Sequence, residues 1–282
     1  MANEVVWDVR VVTLETDAMT VLAYIPEWIS LSFSDSINEQ GFGLVSFDFD
    51  SDWLQEFYTD QSSKYPWEGL YGVQVLRDGA LVYTFVAEEA EIQYVGPTRQ
   101  VALGGRGLAA CLEWGIVLPE GFDESLSDPD DPGNVLFMTR GFGSVATNQS
   151  DIDAGNYSVD SPQHKAYGGS AFVHLFEECD TGNATTFPNI TVANANRSTA
   201  VTWPLSLSTN LSRTNDSNNV AWSTTATYPD IDTTHLFELN AGMNMFDVLL
   251  ECCSLTANSQ WNIKPDGTIH IAKQIGTDKS DT

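Results

Sequence analysis

The sequence predicts a mainly β protein whose first 118 residues form a closed or nearly closed β-barrel. Three observations lead there. Short apolar runs alternate with period two and are bounded by turn residues, as in antiparallel strands. Asp-Gly dipeptides at 78–79 and 266–267 each sit between two such runs, a strong hairpin signal. The 282 residues are 42% hydrophobic and only 18% charged, which places the chain among globular proteins with enough length for about two domains.

The strands follow in order. Val5 to Leu14 is the first, Met19 to Ile25 the second and Trp28 to Phe33 the third, with Ile29, Leu31 and Phe33 alternating. In the run from Gln40 to Asp50, Phe42, Leu44, Ser46, Asp48 and Asp50 share one face, and Val45, Phe47 and Phe49 share the other. Asp52 to Phe57 reads as helical. Leu70 to Arg77, the Asp78-Gly79 turn and Ala80 to Ala87 make a hairpin, and Glu91 to Val95 and Gln100 to Leu103 complete seven or eight strands. That number suits a barrel, which leaves few exposed edges. A glycine turn from Gly104 to Gly107 then leads into a short helical stretch ending near Trp114. Gly105, Gly107 and Ala110 imitate part of a dinucleotide fingerprint, but the βαβ context and the distant acidic residue are missing, so no nucleotide site is assigned.

Residues 119–186 read as a loop-rich connecting or insertion segment, with Pro119-Glu-Gly, the acidic run Ser127 to Asn134, and a short helix near 170–179 that spaces Phe172, Val173, Phe176 and Cys179 on one side. From Phe187 to Tyr228 the composition turns to Asn, Ser and Thr around Trp203 and Trp222, as in exposed strands and turns. Leu236 to Gly242 is a strand, and a helix near 244–256 puts Met245, Val248, Leu249, Cys252 and Cys253 on its apolar side. Gln260 to Lys264, the turn Pro265-Asp-Gly267 and Thr268 to Lys273 form a hairpin, and residues 277–282 are a terminal tail.

Two stretches carry a resemblance. The first runs from Ile25-Pro-Glu-Trp-Ile-Ser-Leu-Ser-Phe through Phe47-Asp-Phe-Asp50, the helical Asp52-Trp-Leu-Gln-Glu-Phe57 and Val73-Gln-Val-Leu-Arg-Asp-Gly79 to Leu103-Gly-Gly-Arg-Gly-Leu108. The second is the glycine, amphipathic helix, Trp261-Asn-Ile263, Asp266-Gly267 and Ile269-His-Ile271 of the C-terminal part. Taken in this order the pattern resembles the tail-tip, or baseplate, hub proteins of long-tailed phages and related archaeal viruses. The resemblance implies two β-barrel domains, 1–118 and 187–276, joined by the irregular, partly helical segment. It also implies a homotrimer at the virion tail tip, made in the host cytoplasm, whose six barrels match the sixfold tail tube above to a threefold tip below. The implied neighbours are the distal tail or tail-tube protein above, a tip or fibre protein below, and the tape-measure protein in the lumen.

With 12 Lys+Arg against 39 Asp+Glu the formal charge is -27, which excludes a general nucleic-acid binder, since gripping phosphates takes clustered cations. For a conduit the same charge is useful, because DNA passes such a wall without specific binding. The acids divide into 23 Asp and 16 Glu with only 5 Lys, a surface suited to a halophilic host, where molar salt shortens the Debye length to about 3 Å. The N-terminus lacks a basic region followed by a long apolar run, and no apolar stretch reaches the roughly 20 residues of a membrane span, so neither a Sec signal nor a span is expected.

No catalytic, cofactor or metal residue is assigned, and the chain is read as no enzyme. His164, His174, His235 and His270 have no metal-ligand spacing, and Gly168-Gly-Ser-Ala-Phe172 lacks the last glycine of a nucleophile elbow. Glu88, Glu89 and Glu91 are carboxylate coincidences expected in so acidic a chain. The loop of Asp128, Asp130, Asp131 and Gly133 has Thr139 where a calcium loop needs Glu, and Asp48, Asp50 and Asp52 have Trp53 in the glycine position. Cys111, Cys179, Cys252 and Cys253 read as reduced, mostly buried small hydrophobes. The seven sequons, at Asn148, Asn156, Asn183, Asn189, Asn196, Asn210 and Asn215, reflect richness in Asn, Ser and Thr. The alternative from another class is a carbohydrate-binding β-sandwich or adhesin domain, with eight Trp as an aromatic platform, to be weighed against Trp as core.

Overall fold

The computed structural model describes residues 5–15, 18–116, 139–142, 172, 176, 179, 203–207, 237–240, 242–254 and 260–272. The described chain is mainly β with antiparallel sheets. Two compact units emerge: one comprises Met1–Cys111 with Trp203–Ser206 and Asn262–Ile269, the other Leu112–Thr202, Leu207–Trp261 and His270–Thr282.

The first unit contains β1 (Trp7–Thr13), β2 (Val21–Tyr24), β3 (Trp28–Ser34), β4 (Phe42–Asp48), α1 (Asp52–Asp60), β5 (Tyr71–Arg77), β6 (Ala80–Val86), β7 (Glu89–Val95) and β8 (Thr98–Arg106). They form two four-stranded sheets, ordered β2-β1-β5-β6 (sheet A) and β3-β4-β8-β7 (sheet B). The β5–β6 turn has Asp78 at φ 52° and Gly79 at φ 78°, the pair of positive values a two-residue turn needs to match strand twist. In β4, Val45 and Phe47 are buried while Leu44 and Ser46 are half-exposed, as the alternation predicts.

The core lies between the sheets. Val9, Val11, Val73, Val75 and Phe85 from sheet A meet Val45, Phe47, Val101 and Leu103 from sheet B. Helix α1 adds Trp53, Leu54 and Phe57 to it, and Trp53 meets Phe47 edge to face with centroids 4.8 Å apart. Asp52 in its first turn complements the helix dipole.

Neither sheet closes, so the first unit is two packed antiparallel sheets where a closed or nearly closed barrel is expected. The reason lies in β8, which is already paired on one side by β4 and on the other by β7. Strand β6 therefore reaches this sheet only beyond the ladder, through a single bridge between Phe85 and Gly107. At the opposite side β2 and β3 are joined by a turn through Pro26 and share no ladder.

The Gly104–Gly107 turn leads into a 3₁₀ segment, Leu108–Trp114, in place of an α-helical stretch. Beyond it, β9 (Thr139–Phe142), a strand within the loop-rich stretch, pairs antiparallel with β11 (Phe237–Asn240). Phe172, Phe176 and Cys179 are helical and buried, matching the predicted spacing, while Val173 lies outside the described residues. Helix α2 (Met245–Ser254) buries Met245, Val248, Leu249 and Cys252, with Cys253 half-buried. The C-terminal hairpin of β12 (Gln260–Ile263) and β13 (Thr268–Ala272) carries β10 (Ser206–Leu207) as a third strand. No sheet among the described residues of 187–276 closes into a barrel. Most of 119–236 and the tail 277–282 lie outside the described residues.

Candidate interaction surfaces

The most exposed strand of the first unit is β7, in the β7–β8 hairpin. In β7 every residue but Ala90 is exposed, so both faces of the strand are bare. Tyr94 is 76% exposed, and Ile92 and Val95 are about half exposed. The hairpin turns at Gly96, φ 64°, with open space around it. At the other edge of sheet B, β3 presents Ile29, 52% exposed, and has no charged residue. Both strands are sheet edges, and a row of unpaired N–H and C=O groups at an edge is a template for another strand. The sequence shows these strands but not which of them end a sheet.

At the base of the hairpin, Glu88 clamps β8. Its carboxylate accepts from Arg106 Nη2 at 2.7 Å, from Arg106 Nε at 3.1 Å and from the Arg106 backbone N–H at 2.9 Å. Burial opposes ionisation of Glu88, but the Arg106 hydrogen bonds and charge outweigh it, and the carboxyl sits below its ordinary 4.5. A lowered folded value means that the stabilisation is present above 4.5 and fades as pH falls through the folded value. Glu88→Gln is therefore expected to lower the urea midpoint at neutral pH and to leave it nearly unchanged in strong acid. An equal loss at both pH values would remove the ion pair as the cause.

Arg99 pairs with Asp50 and stacks over Phe49, 4.5 Å from the ring centroid. Phe49 meets Tyr65, which stacks on Trp67 with centroids 4.8 Å apart and planes 6° from parallel. These rings spend their faces on one another. Because the ion pair is solvent-exposed, Arg99→Ala should shift the urea midpoint only slightly.

The other residues raised by the sequence do not converge. Glu89 and Glu91 are exposed on β7. Asp48 caps the backbone N–H of Asp50, Asp50 pairs with Arg99 and Asp52 begins α1. Among the described residues no group of three His, Cys, Asp or Glu side chains has the arrangement to hold a metal. His270 lies on β13, whereas His164, His174, His235, the Asp128–Gly133 loop, residues Gly168–Ala171 and the seven sequons fall outside the described residues. Cys111, Cys179 and Cys252 are buried and unbridged, Cys253 is half-buried, and burial pushes the Cys111 and Cys252 thiols up and that of Cys253 to about 12, so they stay protonated and inert. Seven of the eight Trp fall among the described residues, and none is exposed.

No protein-family model matches the chain, and no curated protein matches it. Among solved structures it is similar to a tail protein from Neisseria meningitidis MC58, with 12% identity and a TM-score of 0.42, over 98% of this chain and 52% of that one. It is also similar to a 43 kDa tail protein of prophage MuSo2 from Shewanella oneidensis, with 10% identity and a TM-score of 0.42, over 95% of this chain and 53% of that one. The chain spans about half the length of either structure.

Proposed function

We propose that the chain is a structural virion protein, the hub at the tip of a viral tail. Three copies form a ring that closes the distal end of the tail tube, adapts its sixfold symmetry to a threefold tip and lines the DNA exit channel. The tube protein lies above, a tip or fibre protein below, and the tape-measure protein ends in the lumen. The acidic wall repels phosphate and lets the genome slide.

The observation that carries the proposal is the pair of bare edges on sheet B. The sheet has four antiparallel strands, so β7 of one copy meets β3 of the next antiparallel, and the sheet runs on from copy to copy. Since β3 has no charge, Glu89 and Glu91 of β7 meet no like charge there. Such head-to-tail contacts close into a ring when the rotation between copies allows it. The carbohydrate-binding alternative is less favoured, because none of the seven described Trp is exposed.

Sedimentation in molar salt tests the proposal. The expected species has about three times the 30.9 kDa chain mass, and Ile92→Lys combined with Tyr94→Lys is expected to return single chains with unchanged far-UV circular dichroism. A wild-type chain that stays monomeric in low and high salt and binds immobilised glycans would overturn it.

A further inference from the structure

Among the described residues, the buried polar side chains fall in one row across sheet A. Gln74 and Thr84 are 3% and 2% exposed and stand directly opposite each other on β5 and β6. Arg10 of β1 faces Gln74 from the other side and donates from Nε to Gln74 Oε1 at 2.8 Å. The row lies on the face away from the core, since Val73, Val75, Tyr83 and Phe85 fill the core and successive strand residues alternate.

The cover over this outer face comes from the far end of the chain. Thr84 Oγ1 donates to the carbonyl oxygen of Pro265 at 2.6 Å, across 181 residues of sequence. Gly267, at φ 86°, fits so closely that a Cβ there would strike the carbonyl oxygen of Pro204 and crowd the methyl group of Met19. Its carbonyl accepts from the backbone N–H of Ser206 at 3.0 Å. Met19 in turn touches Gln74, whose amide lies 3.6 Å from its sulfur.

We propose that residues 262–269 are a releasable clasp on the outer face of sheet A, opening and closing as a unit while the core between the sheets stays folded. The two faces of the sheet differ in what exposure costs. Thr84 exchanges its hydrogen bond to Pro265 for water when uncovered, and Gln74 keeps Arg10 and gains water, so opening strands no polar group on the sheet. The inner face is built from valines, leucines and aromatic rings, whose exposure to water is costly and has no such exchange. The closed state also carries a burden that opening relieves: Asn262 Oδ1 is buried without a hydrogen-bond partner in the protein.

Native-state hydrogen exchange on the full chain, read at single amides, tests this. The amides of Lys264, Gly267 and Ser206 are expected to exchange through an opening at least tenfold more frequent than that of the Val45 and Leu103 amides, with a weaker dependence on denaturant. Thr84→Val should speed exchange at those three by about tenfold and leave the core amides alone. Thr84→Ser, which keeps the hydroxyl, should restore the wild-type rate, and Asn262→Leu should slow it. One common rate and denaturant dependence for clasp and core would overturn the proposal, as would a Thr84→Val effect spread equally over both.

Discussion

Gly105→Ala is expected to destabilise the first unit by about 3 kcal/mol or more, at the upper end of the cost of forcing an extra methyl into a filled interior. A Cβ at this position would fall on the backbone carbonyl of Val86, with the Glu88 N–H also within 3.1 Å, and backbone gives way far less readily than a side chain. Close by, β6 meets the end of β8 through the Phe85–Gly107 bridge, so relief requires pulling β6 off the end of β8. The neighbouring Gly104 is the internal control. A Cβ there meets the flexible end of Leu44 at 3.2 Å, and Gly104→Ala should be nearly neutral. At roughly 4–8 °C per kcal/mol for a unit of this size, thermal melting separates the two variants easily. Similar melting temperatures for both would mean that the approach of Val86 to Gly105 is not tight.

Transfer from molar salt to dilute buffer is expected to dissociate the proposed ring into single chains. Each chain carries a formal charge of -27, and between 1 M and 0.01 M salt the Debye length grows from about 3 Å to about 30 Å, long enough for neighbouring copies to repel across the whole contact. The interface itself lacks like-charge pairs between β3 and β7, so the salt effect comes from the surface as a whole and not from one contact. Sedimentation across a salt series measures it. A ring indifferent to salt would remove the adaptation to a high-salt host and leave the ring standing.

The strand order of the first unit was legible because each strand has a side turned to a common core, and Val45 and Phe47, or Val73 and Val75, write that side into the sequence with period two. Closure was not legible. It depends on whether β6 finds a free partner, and β8 is occupied on both sides by strands whose own sequences say nothing of it. The cover over the outer face of sheet A was not legible for a related reason. Gln74 and Thr84 alternate with buried valines and aromatics as solvent-facing residues do, yet both are buried, and Thr84 is held by a turn 181 residues further along the chain. The candidate surface was half visible: Ile92 and Tyr94 share a face of a recognisable strand, but their exposure follows from the strand's place at the rim of the sheet.

The first unit leaves the chain at Cys111, takes it back for Trp203–Ser206 and again for Asn262–Ile269. Its re-entry points are fixed by its own bonds, such as that from Ser206 to Gly267. Closing a loop between fixed points costs only about 0.6 kcal/mol for each doubling of its length. Evolution is therefore free to lengthen, shorten or replace the sequence between those points at small cost to the unit that anchors it. A guest domain spliced there should be accepted where one spliced into the two-residue turn at Asp78-Gly79 would not be.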